Sequence, residues 1–338
     1  METRKIQQVG GGTYTVSLPK EWATAADIEP GAVVALHSHI DGTLVVQTGV
    51  ESEADDEPLS LSVADADSAC LERTLSGAYA AGIDAIELTD PDGIDDDTHR
   101  LVERLTRNLT GVTVTDSSED GIRVRSLLDV EEVSITQSVR QLQFAALSAH
   151  RDATASLTTP TTPPQTDEQA VRIAGMVDHY FQRGLDSLSV MDSLGLTRPE
   201  LFVRWVTARE LERVAGHGDR IATVADRLDA PVDGAVADEF DELADRSREL
   251  VREAVSLVLD GGDAAAARRL LDERDGLGAD IRSLDRRLFE GEAVDYRATH
   301  AVDGLRRTAE SAGTIAEAGM RSLLRERMAS ATPGATEQ

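Results

Sequence analysis

Lysine is almost missing from this 338-residue chain: Lys5 and Lys20 are the only two, and every other cation is arginine. Positive charge is scarce altogether, with 34 Lys and Arg against 62 Asp and Glu and a formal net charge of -28. The single cysteine, Cys70, excludes an internal disulfide framework and fits a reducing compartment. Aromatic residues make up 3% of the chain, so aliphatic Ala, Val and Leu must fill its cores. No run of about 18 apolar residues occurs, which argues against a membrane-spanning helix. The opening residues Met1 to Lys5 lead into no apolar stretch, which argues against a secretory leader. A cytoplasmic protein without membrane insertion is expected.

What is present in abundance is acid, spread over every segment. With lysine nearly absent, this reads as solubility adaptation to molar salt, the composition of a halophilic protein. Disorder is the rival reading, but 41% hydrophobic residues in sustained periodicity speak against it. In molar salt the Debye length is about 3 Å, so the net charge does not by itself forbid binding to nucleic acid.

The length allows two or three domains, and three zones of different composition predict a multidomain α+β protein. Residues 1–48 are rich in β-branched residues and glycine, with strand-like runs at Ala32–His37 and Thr43–Gln47 joined by Asp41-Gly42, a tight-turn pair. Gly49–Pro58 is acidic, lacks periodicity and reads as a linker. Residues 59–130 alternate strand and helix in the order β-α-β-α-β-β, predicting a small α/β sandwich, its last two strands a hairpin around Glu119-Asp120-Gly121. Residues 133–328 are helical, with apolar side chains stepping by three, four or seven, as in Val236, Phe240, Leu243, Leu250, Ala254 and Leu257. Breaks divide this zone into six helices near 134–157, 168–194, 198–228, 235–260, 263–289 and 293–328, a bundle with short connections. Glu212–Ala222 aligns with Arg306–Ala316, so the bundle reads as three helices used twice, over 133–230 and 234–328.

The two lysines lie in the segment from Arg4 to Trp22, which reads as a basic β-hairpin on an acidic body, an anion-binding head. Arg4, Lys5 and Lys20 are candidates for phosphate contacts, and Gln7, Gln8 and Thr13 for hydrogen bonds to phosphates or base edges. Gly10-Gly11-Gly12 is followed by no Gly-Lys-Ser/Thr, so it reads as a turn needing positive φ and not as a phosphate cradle. His37 and His39 share a strand face with no Cys or acid at ligand spacing, and read as exposed strand histidines. Cys70 reads as core packing, and Trp22 and Trp205 as packing anchors. The chain contains no Ser-His-Asp grouping, P-loop or dinucleotide fingerprint, and no enzymatic activity is expected.

Two family resemblances follow from these segments. Residues 4–47, with a first strand Arg4–Val9, the run Val16-Ser17-Leu18-Pro19-Lys20-Glu21-Trp22, a short helix and Ile28-Glu29-Pro30-Gly31 before two more strands, resemble the SpoVT/AbrB-type swapped-hairpin DNA-binding module. That resemblance implies a homodimer in which two chains exchange hairpins to build one barrel, and a DNA operator as partner. Residues 133–325 resemble PhoU, the helical regulator of phosphate uptake built from two three-helix repeats, through Leu211-Glu212-Arg213-Val214-Ala215-Gly216-His217-Gly218-Asp219-Arg220-Ile221-Ala222. The combined domain order is similar to archaeal PhoU-family regulators.

The PhoU resemblance implies paired acids four residues apart that grip a metal, since positions i and i+4 share a helix face. Here the pairs are incomplete. Gly216 stands opposite Glu212, Arg306 opposite Glu310, Ala174 opposite Asp178 and Gly276 opposite Asp280. No cofactor is expected, and Asp178, Glu212, His217, Asp280 and Glu310 are the residues left for a divalent metal. The function implied is a dimeric DNA-binding transcriptional regulator of phosphate homeostasis, with a pseudo-palindromic operator and components of a phosphate transporter as partners. The alternative is a signalling adaptor that binds a transporter or kinase and uses the hairpin only to dimerise. It draws on the charge of residues 1–48, where Arg4, Lys5 and Lys20 face Glu2, Glu21, Asp27, Glu29 and Asp41.

Overall fold

The computed structural model describes residues 3–10, 12–40, 42–48, 57–64, 66–118, 120–159, 168–290 and 297–331. The chain divides into two compact units, Met1–Glu57 and Pro58–Gln338. Its fold is mixed α/β, with a small strand region at the N-terminus and a helical C-terminal part.

The first unit holds two antiparallel hairpins and a short helix. Strands β1 (Gln7–Val9) and β2 (Thr13–Thr15) form one, and β3 (Val34–Ser38) and β4 (Leu44–Thr48) the other, with α1 (Lys20–Ala25) between them. The expected first strand Arg4–Val9 is paired only from Gln7. Gly10, at φ +68, supplies the left-handed turn after β1; Gly11 and Asp41, in the two predicted turns, lie outside the described residues. His37 and His39 are not exposed as expected: His37 is half-buried and His39 buried. Both point to the covered face of β3, and His39 holds the following turn through backbone bonds with Thr43 and Gly42.

The second unit opens with the predicted β-α-β-α-β-β order: β5 (Leu59–Ser62), α2 (Ser68–Ala80), β6 (Ala85–Thr89), α3 (Asp96–Thr106), β7 (Val112–Ser118) and β8 (Gly121–Ser126). The strands form one sheet in the order β5-β6-β8-β7, parallel at its first pair and antiparallel at the others. Asp67 and Asp95 cap α2 and α3, accepting bonds from the Cys70 and Thr98 amides at 2.7 Å each. Leu75, Leu88, Val102, Ile122 and Val124 form the core between helices and sheet. Cys70 corrects the sequence reading, because it is exposed. It sits one position off the stripe of Leu71, Leu75 and Ala78 that α2 buries.

Seven helices follow among the described residues: α4 (Ile135–Thr158), α5 (Glu168–Asp186), α6 (Leu188–Ser193), α7 (Arg198–Arg227), α8 (Gly234–Leu259), α9 (Ala264–Glu290) and α10 (Ala298–Ala331). The predicted second helix is split at Ser187, which takes an extended backbone and caps α6 by accepting from the Val190 amide. α7 opens on a complete capping box, Thr197 with Glu200, with Pro199 in its first turn. The linker residues 49–56, the break at 160–167 and the segment 291–296 lie outside the described residues.

The α/β part is tied to the bundle by specific polar contacts. His179 of α5 stacks on Tyr79 with ring centroids 4.5 Å apart, while its Nδ1 meets the Tyr79 carbonyl at 2.8 Å and its Nε2 meets Asp84 at 3.1 Å. Arg183 also pairs with Asp84 at 3.1 Å, and the Tyr180 hydroxyl donates to the Leu128 carbonyl at 2.9 Å. These bonds cross between zones of different composition, which explains why residues 58–338 form one unit.

Candidate functional site

In the first hairpin Gln7 lies opposite Thr15 and Val9 opposite Thr13. Cross-strand partners share a face, as do residues two apart, so Gln7 and Thr13 stand on one face and Gln8 with Tyr14 on the other. Arg4 and Lys5 precede β1 and Lys20 opens α1 directly after Pro19. Arg4, Lys5, Gln7, Thr13 and Lys20 are all exposed. The structure therefore brings Gln7 and Thr13 together and places the three cations outside the strands.

The same unit has an unusual surface. Ten of its large apolar side chains are exposed, among them Ile6, Val9, Tyr14 and Leu44, with Val33 reaching 76% and Leu36 62%. Among the described residues the buried apolar core begins only at Val63. Among the described residues this small module buries none of its large apolar side chains fully, which leaves it little core of its own to offset the entropy of ordering the chain.

The metal candidates of the helical part fall in different places. Asp178 and Glu212 come together: Arg209 reaches Asp178 Oδ2 at 3.0 Å and Glu212 Oε2 at 2.8 Å, and the Trp205 indole donates to Asp178 Oδ1 at 2.7 Å. Trp205 itself stacks on Phe181 at 4.4 Å. This pair edges a cavity of about 430 Å³ between α2, α5 and α7, whose walls include Tyr79, Leu109 and Val171. Burial pushes the Glu212 carboxyl above its usual range, Arg209 opposes that and the Asp178 charge adds to it. Asp280 pairs instead with Arg246 at 2.9 Å, and Glu310 with Arg306. Among the described residues no three His, Cys, Asp or Glu side chains gather as a metal site. Arg306, which stands where the pattern has an acid, forms an ion pair with Glu310.

Arg209 is what keeps Asp178 and Glu212 compatible. Replacing it, as in Arg209→Met, is expected to cost about 1–3 kcal/mol at neutral pH, because two half-buried carboxylates then face each other. Urea denaturation at pH 5 and pH 8 checks this, with the larger loss expected at pH 8, where the Glu212 carboxyl, held above its usual range, is charged.

His217 belongs to a buried polar chain that sequence reasoning did not assemble. His150 and Thr308 have no exposed surface and His217 very little. His150 Nε2 lies 3.0 Å from Thr308 Oγ1, which lies 3.5 Å from His217 Nδ1. Arg248 Nη1 approaches His150 Nδ1 at 3.3 Å and donates to Thr154 Oγ1 at 2.8 Å. The guanidinium only donates, so His150 Nδ1 accepts, and the neutral imidazole carries its proton on Nε2, towards Thr308. Burial, then Arg248 and His217, depress the His150 pKa to about 3. Burial and the nearby Arg220 and Arg307 bring His217 to about 4. These partners come from α4, α7, α8 and α10, and only the pairing of helices brings them together.

Residues 7–53 match a family model described as antidote-toxin recognition MazE, bacterial antitoxin. The N-terminal segment is thus similar to a MazE/AbrB-type domain, the class to which the swapped hairpin belongs. The match ends before the α/β and helical parts. No curated protein matches the chain. No helix among the described residues is long and apolar enough to cross a membrane.

Proposed function

We propose that this protein is a dimeric DNA-binding transcriptional regulator in which the N-terminal module docks on operator DNA and the helical part responds to phosphate status. The observation that carries the reading is the MazE-type match over residues 7–53 on a module with ten exposed large apolar side chains. A second copy of the same module, exchanging hairpins, would cover that surface, and the dimer's two-fold axis would suit a pseudo-palindromic operator. Arg4, Lys5 and Lys20 would neutralise phosphates and Gln7 and Thr13 would add hydrogen bonds from the hairpin face. The phosphate link rests on the two three-helix repeats and the motif around Glu212, which resemble PhoU; components of a phosphate transporter are then partners of the bundle.

The slightly acidic balance of residues 1–48 favours the second reading, a signalling adaptor that uses the hairpin only to dimerise. No catalytic role is proposed. Deleting the gene and comparing transcripts in high and low phosphate tests the regulatory reading. Transporter transcripts that lose their dependence on phosphate are the expected result. Transcripts that keep it unchanged would remove the phosphate assignment.

A further inference from the structure

On a chain with a net charge of -28, four arginines meet in one groove between α4 and α8. Arg140, Arg151, Arg248 and Arg252 line a space of about 350 Å³, with Asp245 the one acid in its wall and Phe144 at its edge. The two helices run antiparallel, since Arg140 of α4 pairs with Asp260 just past the end of α8, while Thr158 bonds Asp241 near its start. From Arg140 to Arg151 the rise along α4 is about 16 Å. The cations therefore form a ladder along the groove.

We propose that this groove binds a small oligophosphate, with a nucleoside triphosphate as the best-fitting member of the class. Each arginine already has an acidic neighbour: Asp260 for Arg140, Asp152 for Arg151, Asp245 for Arg248 and Glu249 for Arg252. One carboxylate occupies at most two of the five N–H donors of a guanidinium, so donors remain for a ligand. The exposed pairs, those of Arg140, Arg151 and Arg252, are also individually weak. Asp152, Glu249 and Asp260 do not line the groove. Arginine forks suit phosphoryl oxygens, and a ladder of them suits several phosphoryl groups in a row better than one compact anion. Phe144 is 75% exposed beside these cations. An exposed phenyl ring at a cationic groove is an unusual surface choice in a chain with five phenylalanines, and it offers a face on which a base can stack.

The groove also communicates with the interior. Arg248 is nearly buried, and the guanidinium nitrogen that donates to Thr154 also contacts His150, which continues to Thr308 and His217. A phosphoryl group drawn to Arg248 acts on the residue that ties α8 to α4, α10 and α7. Occupancy of this site is independent of whether the N-terminal module binds DNA.

Titration calorimetry on the full-length protein tests the proposal, with ATP, tripolyphosphate, orthophosphate and the tricarboxylate citrate as four separate probes. The buffer is one in which circular dichroism shows the helices intact. ATP and tripolyphosphate are expected to bind and citrate to bind at least about tenfold more weakly, as expected if the arginine forks select phosphoryl groups. The double variant Arg140→Gln/Arg252→Gln changes only exposed residues and is expected to weaken ATP by at least about tenfold. Phe144→Ala is expected to bring ATP down to the affinity of tripolyphosphate. Binding by orthophosphate alone, citrate equal to tripolyphosphate, no binding by any probe, or ATP affinity unchanged in the double variant would each overturn it.

Discussion

Replacing Tyr14 and Leu36 together by aspartate is expected to halve the molar mass of the protein in solution, measured by light scattering behind a sizing column. Both side chains are large, apolar and exposed in the single chain, Tyr14 by 70% and Leu36 by 62%. In a two-fold dimer each would be buried twice, so the double change removes about 6–12 kcal/mol of apolar burial before the cost of burying four carboxylates is counted. A loss of that size raises the dissociation constant by at least about four powers of ten. The helical content should persist, because residues 58–338 form their own compact unit. A variant that stays dimeric would place the contact between copies elsewhere.

Acid should unfold the helical part through two buried histidines. In an unfolded chain a histidine titrates near 6.5, whereas His150 and His217 are held at about 3 and about 4. Between those values the unfolded chain binds protons that the folded chain refuses. Their contribution to stability is therefore complete above about pH 6.5 and is lost as pH falls towards 4, at up to about 1.4 kcal/mol per pH unit for each histidine. Denaturant unfolding is expected to lose about 3 kcal/mol between pH 6.5 and pH 5. Carboxylates with lowered pKa, such as Asp303 beside Arg306 and Arg307, add their loss only below about pH 4. His150→Gln should cut the slope above pH 5 to about half, since one of two titrating groups is gone. An unchanged slope in that variant would remove the buried chain as the acid-sensitive element.

Periodicity carried the elements well and their partnerships poorly. The steps of Leu270, Leu277, Ile281, Leu284 and Leu288 identify the buried stripe of α9, all five being buried. The order β-α-β-α-β-β was legible because strand and helix patterns alternate cleanly between Leu59 and Arg125. The split at Ser187 was not, because a single serine that turns from helix interior to cap interrupts no apolar pattern. Cys70 and His39 escape a reading by residue type, because burial depends on which face each element presents. The arginine groove draws on residues 140–151 and 245–252, and the His150–Thr308 bond joins residues 158 positions apart. Neither leaves a trace in local sequence. For the hairpin the motif itself was informative: the stretch from Arg4 to Trp22 overlaps the segment that matches the MazE family model.

In the proposed function the hairpin module holds DNA through its few cations. The direct measurement is the affinity of the full-length protein for DNA from its own upstream region, taken as a function of salt, for the wild type and for Arg4→Ala/Lys5→Ala. The wild type is expected to bind. The variant, losing four phosphate contacts per dimer, is expected to bind more weakly, with the slope of log K against log salt reduced by about 3 to 4. No binding by the wild type, or equal affinity and slope in the two proteins, would contradict it.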